Sequence, residues 1–240
     1  MSENTQKPEL LVYGDSHTRY ILGGTVSPGK QLIVDHGTFI ARGNQLGDTG
    51  ATIWGLNNKN STTGAGEKIK AALENKTEVN LYLSLGEVDV RNHIHKHSPS
   101  VLYNTKKLID RYGLWLDENV IPHLGNSGQL FLTGCVPYTQ RLALNINNQF
   151  LHLAYAPSIF NALIYELCHQ FENTHYIDLF EGMIAKDGYL PIELSSQPTE
   201  IIEAHLDYQK AEQHVVPQIE KYLVNEQQSL SGNSAINIST

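Results

Sequence analysis

The chain is sparing with the residues that specialise a protein. Among its 240 residues only two are cysteine, two methionine and two tryptophan. Cys135 and Cys168 stand far apart, and neither has a CxxC partner. Nothing in that spacing requires a disulfide or a thiolate metal site. Cys135 follows an apolar run and Cys168 falls on an apolar helical face, so both read as small buried hydrophobes. No stretch approaches the roughly 18 apolar residues that span a bilayer. The first ten residues lack the basic and then long apolar pattern of a secretion signal, so the expected location is the cytoplasm. Charge is scarce too, at 18% of residues, with 17 Lys and Arg against 25 Asp and Glu. The basic residues, Lys68, Lys70, Lys106, Lys107 and Arg111 among them, are scattered and form no stripe. A net charge of −8 repels phosphate backbones and anionic lipid, which argues against nucleic acid or a membrane surface as partner. A neutral or uncharged polar substrate suits this balance better.

The apolar share, 40%, is enough for a real core, and the length suits one α/β domain. Five short apolar runs read as strands: 9–14, 31–35, 79–86, 129–134 and 175–179. Helical spacing of apolar residues marks 67–73, 101–124, 148–172 and 206–224, with Pro157 expected to interrupt the third. Strands alternating with helices predict a mostly parallel sheet covered on both faces, with ligands at the carboxyl ends of the strands. The tail 225–240 is rich in Ser, Asn and Gln and has little to bury. It is expected to be disordered, leaving one domain over residues 1–224.

The residues with chemical potential follow those strands. Gly14-Asp15-Ser16 comes straight after the first, where a tight turn presents a serine hydroxyl and helix N–H groups stabilise negative charge. The same tripeptide also serves as an ordinary turn and helix cap. Gly86-Glu87-Val88-Asp89, with Arg91, follows the third strand. His205 stands ahead of the last helix, and a serine nucleophile needs such a base near neutral pH. His93, His95 and His97 alternate, which would align them only on extended chain, and no acid-rich constellation completes a metal site. Asp187-Gly188 reads as a turn without chemistry.

The order of these pieces resembles the SGNH/GDSL hydrolases over residues 9 to 222. That family places a Gly-Asp-Ser nucleophile after its first strand, then an oxyanion glycine, a Gly-x-Asn-Asp block and an Asp-x-x-His block. The resemblance implies a three-layer α/β/α flavodoxin-like sandwich around a mostly parallel, five-stranded sheet. It makes Ser16 the nucleophile and His205 its base, with Asp15 beside the nucleophile. The glycine-rich stretch 47–56 is similar to the second block and makes Gly50 the oxyanion glycine, with Gly47 the alternative register. Asp89 and Arg91 enter through the third block. Two positions depart from the pattern: Val88 stands where an amide would complete the oxyanion hole, and Ile202 stands where the acid before His205 is expected. Glu203 is taken as the orienting acid in its place.

The activity implied is that of a serine esterase or acylhydrolase using no cofactor and no metal. Its partner would be a small-molecule ester such as an O-acetyl sugar, a short acyl ester or a lipid ester. The acidic, polar chain leans towards an acylated carbohydrate. Acyl transfer to a sugar differs only in the second nucleophile. A non-catalytic relative that binds a glycan or protein partner through the same cleft would account for Val88 and Ile202.

Overall fold

The computed structural model describes residues 7–24, 29–47, 50–94, 100–138, 155–186, 189–195 and 206–233. The hydrophobic run Glu9–Gly14 forms β1 at the centre of the sheet, buried on both faces after Glu9. The chain then makes a 3-10 turn, Ser16–Thr18, that leads into α1, Arg19–Leu22. β2 (Leu32–Asp35) and β3 (Ile40–Gln45) follow as a hairpin, then α2 (Ala65–Leu73) and β4 (Asn80–Ser84). α3 (Glu87–Asn92), α4 (Val101–Asn119), β5 (Leu130–Thr133), α5 (Ala156–Cys168), β6 (Thr174–Ile177) and α6 (Tyr208–Asn233) complete the order.

The sheet has six strands in the order β2-β3-β1-β4-β5-β6. All neighbours are parallel except β2, which runs antiparallel to β3 at the edge. Alternation along the strands divides the core into two layers. Leu11, Tyr13, Leu81, Leu83, Leu130 and Leu132 face one side and pack with residues of α2, α4 and α5. Leu10, Val12, Tyr82, Phe131 and Ile177 face the other and pack with α1 and α6. The result is the α/β/α sandwich expected from the sequence, with one strand more than the five expected.

The extra strand is β3. Its sequence, Ile-Ala-Arg-Gly-Asn-Gln, contains no apolar run, because the residues it buries are Ala41, Gly43 and Gln45. The backbones lie too close there for larger ones: a Cβ on Gly43 would fall 1.8 Å from the Val12 carbonyl oxygen. Two helices also differ from expectation. Pro157 occupies the first turn of α5, where its missing N–H leaves no bond unmade, so it starts the helix and does not break it. Residues 148–154 of the expected helix lie outside the described residues. α6 passes through Pro217 and continues to Asn233, nine residues beyond the expected end. Both cysteines are buried and unpaired, as expected. Among the described residues no helix is long and apolar enough to cross a membrane.

α6 is fastened to the sheet by polar as well as apolar contacts. Asp178, just past β6, donates its N–H to Gln218 Oε1 and accepts from Gln218 Nε2, both at 2.9 Å. Thr38 Oγ1 in the β2–β3 turn donates to Glu220. Gly43→Ala is expected to force β3 away from β1 and to lower the unfolding free energy by about 2–3 kcal/mol, measured by chemical denaturation.

Candidate active site

Five parallel strands end along one edge of the sheet, and the loops leaving β1, β3 and β4 meet there. β1 leaves through Gly14, whose Cα lies so near β4 that a Cβ would stand 2.1 Å from the Ser84 carbonyl oxygen. Leu46 N–H donates to Gly14 O at 2.7 Å, and Asp15 N–H donates to Ser84 O at 2.8 Å. The turn is therefore held between its two neighbouring strands.

Asp15 is buried and caps the turn. Its Oδ1 accepts from His17 N–H at 2.9 Å and from Ser84 Oγ at 3.2 Å, and lies 3.1 Å from His17 Nδ1. Thr18 Oγ1 donates to the Asp15 carbonyl at 2.9 Å. Asp15, His17 and Thr18 are buried, while Ser16 between them is half-buried. The turn thus exposes one side chain, that of Ser16, and encloses the others.

The second loop supplies both candidate glycines. Gly47 (φ +91°) packs on Thr63, and its N–H is already given to Gln45 O at 3.2 Å. Gly50 (φ +81°) packs on Val88, and its N–H donates to no group among the described residues. Gly50 thus meets the Gly86–Asp89 segment through Val88. The same contact shows what Val88 does: its methyl lies where a Cβ on Gly50 would stand, 2.6 Å from that position. It forms an apolar wall there and offers no donor.

Gly86 (φ +114°) starts α3 against Phe160, where a Cβ would fall 2.2 Å from the ring. Asp89, three residues on, is fully buried. Its carboxylate accepts from Ile53 N–H at 2.7 Å and, more weakly, Trp54 N–H at 3.4 Å. Asp89 therefore braces the loop that begins at Gly50 and does not face the cleft. Burial, and secondarily the nearby charges of Asp15 and Glu87, push its carboxyl up to about 7, although the two backbone donors oppose this. Arg91 Nε lies 3.2 Å from Glu87 Oε1, one turn back on the same helix. This partly exposed guanidinium thus offsets one of three buried acids, Asp15, Glu87 and Asp89.

Asp15, His17 and Glu87 are the group with metal-ligand geometry among the described residues, with one ligand atom from each within 4.8 Å of the others. Within this group His17 Nδ1 faces Asp15 Oδ1, and Arg91 faces Glu87 from one turn further along α3. Nothing in the sequence pairs His17 with Glu87, because it takes the sheet to bring their two loops together. Of the three spaced histidines, His93 borders the cleft described next, while His95 and His97 lie outside the described residues. His205, Glu203 and Ile202 also lie outside the described residues, as does the turn at Asp187-Gly188. Leu206, which follows His205, is buried, and its N–H donates to Tyr20 Oη at 3.0 Å.

Beside the Gly50–Val88 wall opens a cleft of about 580 Å³. The stretch 52–63 forms most of its lining, and Asn92 and His93 of the α3 end close it. Four neighbouring turns shape that stretch, closed by Gly55 N–H to Thr52 O, Asn58 N–H to Gly55 O, Ser61 N–H to Asn58 O and Gly64 N–H to Ser61 O, at 2.9–3.1 Å.

No family model and no curated protein sequence matches this chain. Solved structures do. One is a Streptococcus pneumonia protein named for platelet activating factor, with 14% identity and a TM-score of 0.54 over 92% of this chain and 86% of that one. The chain has the SGNH-hydrolase fold. Weaker likenesses include a carbohydrate acetylesterase family member from Sinorhizobium meliloti (15% identity, TM-score 0.49, 90% and 99% covered). Another is an extracellular lipase from Streptomyces rimosus (11% identity, TM-score 0.43, 90% and 99% covered). In this SGNH sandwich the loops after β1, β3 and β4 carry the Gly-Asp-Ser turn, Gly50 and the Gly86–Asp89 segment to one edge.

The raised carboxyl of Asp89 has a thermodynamic consequence. Its folded-state pKa lies above the unfolded value of 3.8, so the folded protein binds the extra proton between about pH 4 and 7. Its contribution to stability is present below pH 4 and is lost as pH rises through 7. Asp89→Asn keeps an acceptor for Ile53 N–H and removes the titration. Relative to wild type, the variant should gain stability by up to about 1.4 kcal/mol per pH unit across that window, read by denaturation at several pH values.

Proposed function

We propose that this chain is a serine ester hydrolase in which Ser16 is the nucleophile and His205 its general base. The observation that carries the reading is the turn after β1, which encloses Asp15, His17 and Thr18 and leaves Ser16 half-buried at the end of the central strand. In the reaction, Ser16 Oγ attacks the acyl carbon while His205 accepts its proton. The N–H groups of Ser16 and Gly50 hold the negative oxygen of the tetrahedral intermediate. His205 returns the proton to the leaving alcohol, and water then releases the acyl group by the same route in reverse order. Glu203 orients the imidazole. The fastening of Leu206 to Tyr20, four residues after Ser16, supports a route for the preceding histidine to the same edge of the sheet. The substrate is a small-molecule ester. Transfer of the acyl group to a sugar hydroxyl would use the same acyl-enzyme.

One observation favours a second reading. Val88 packs on Gly50 where an amide donor would strengthen the oxyanion hole, so a protein that binds through this cleft without turnover would lose nothing by it. Two experiments separate the readings. Hydrolysis of p-nitrophenyl acetate and butyrate should fall by at least on the order of 10⁴ in kcat in Ser16→Ala and in His205→Ala. Equal rates in wild type and both variants would favour the binding protein. Val88→Asn should raise kcat about tenfold or more with little change in KM, since it supplies an oxyanion donor. No gain in a folded variant would mean that the wall is not part of an oxyanion hole.

A further inference from the structure

The cleft beside the Gly50–Val88 wall is chemically unlike three other clefts among the described residues. Those lie between charged groups: Glu67, Lys70 and Glu118 in one, Asp110 and Asp117 in a second, Glu166 and Asp178 in a third. Among the described residues the cleft at Gly50 has no Asp, Glu, Lys or Arg in its lining, and His93 is its one titratable side chain. On a chain of net charge −8, twelve lining residues without a fixed charge form a local exception.

What the lining offers instead is a dense set of neutral donors and acceptors. Thr52, Asn58, Asn60, Ser61 and Asn92 supply hydroxyls and amides. Thr52 Oγ1 accepts from Gly55 N–H, Asn58 Oδ1 accepts from Asn60 N–H, and Ser61 Oγ bonds Thr63 Oγ1. These bonds orient the groups and leave the Thr52 O–H and the Asn58 amide N–H groups as donors. Trp54 adds an indole ring, held in place because Arg111 lies over it with its guanidinium carbon 5.1 Å from the ring centroid. The backbone under these groups is fixed in advance by the four turns and by Asp89, so little ordering is left to occur on binding. Its volume of about 580 Å³ falls within the range of small-ligand sites.

A ligand for this surface needs many hydroxyls, an apolar C–H face and no charge. A fatty chain would strip water from the amides without replacing their hydrogen bonds, and an anion would find no cation in the lining. A pyranose ring meets all three needs. We propose that the cleft formed by residues 52–63 with Asn92 and His93 is a binding subsite for an uncharged oligosaccharide, with Trp54 as its platform. Taken with the esterase reading, on which this role depends, it holds the alcohol side of the ester while the acyl carbon lies at Ser16. The subsite selects neutral sugars over uronic or phosphorylated ones.

The test compares a small ester with a sugar ester in the full chain. Substrates are p-nitrophenyl acetate, an O-acetylated neutral xylo-oligosaccharide and an O-acetylated oligogalacturonide. Wild type, Trp54→Ala and the exposed-site variant Asn60→Ala are assayed, the latter keeping the test valid if loss of the indole disturbs folding. The expected result is a preference for the neutral sugar ester over the anionic one. KM for the neutral ester should rise about tenfold or more in Trp54→Ala and severalfold in Asn60→Ala, with p-nitrophenyl acetate turnover within about threefold of wild type. Ser16-dependent hydrolysis with equal use of both sugar esters, or equal losses on all three substrates, overturns the subsite and leaves the esterase reading standing. If no ester is turned over, the esterase reading fails, and calorimetry with the unacetylated neutral xylo-oligosaccharide decides the subsite. Binding that is lost in Trp54→Ala upholds it; absence of binding overturns it.

Discussion

Everything at this edge of the sheet depends on how closely β1 runs between β3 and β4. Gly14 has no side chain, and its Cα can therefore lie against the Ser84 carbonyl, with Leu46 and Asp15 bonded across to either neighbour. Gly43 permits the same closeness further back along β1. With the three strand ends pinned at this spacing, the loops that follow have little freedom in where they begin. The Ser16 turn, the Gly50 loop and the start of α3 become neighbours as a consequence of backbone contact, before any of their side chains interact. Larger residues at either glycine would separate the strands and disperse the loops.

The second constraint is buried charge. Asp15, Glu87 and Asp89 are enclosed where an ionised carboxylate is costly unless bonded or paired. Each meets that cost differently. Asp15 takes up the donors of its own turn and Ser84 Oγ. Glu87 has the guanidinium of Arg91. Asp89 accepts two backbone N–H groups and still has its carboxyl shifted up to about 7. All three acids therefore act on the scaffold of the site: they hold the serine turn, the α3 start and the 51–56 loop in fixed relation. The cleft that opens beyond them is left uncharged, so its selectivity rests on hydrogen bonding and an aromatic ring.

Much of this was legible in advance, for reasons that can be named residue by residue. β1, β4 and β5 lie inside the sheet and are covered on both faces, so their continuous apolar runs are unmistakable in the sequence. The Ser16 turn could be placed because it follows such a run directly. β3 could not, because its inward residues are small or polar to suit the close approach of β1. Nor could the role of Asp89: the motif order marked it as a site residue, but its partners Ile53 and Trp54 are 36 and 35 positions away. The different surroundings of Gly47 and Gly50 are illegible for the same reason, since only the fold brings Thr63 to one and Val88 to the other.

By itself, then, the sequence determined the layer order of the sandwich, the strand ends that carry chemistry and the serine that follows the first of them. These are local properties: hydrophobic period, glycine at a turn, the residue after a strand. Only the tertiary structure decided that β3 lies against β1, that Asp89 is a brace, that Glu87 comes beside Asp15 and His17, and that the 52–63 stretch and the end of α3 line one uncharged cleft. Those features arise where segments distant in the chain are pressed together. Their energies come from desolvation and backbone contact between partners that no local pattern can pair.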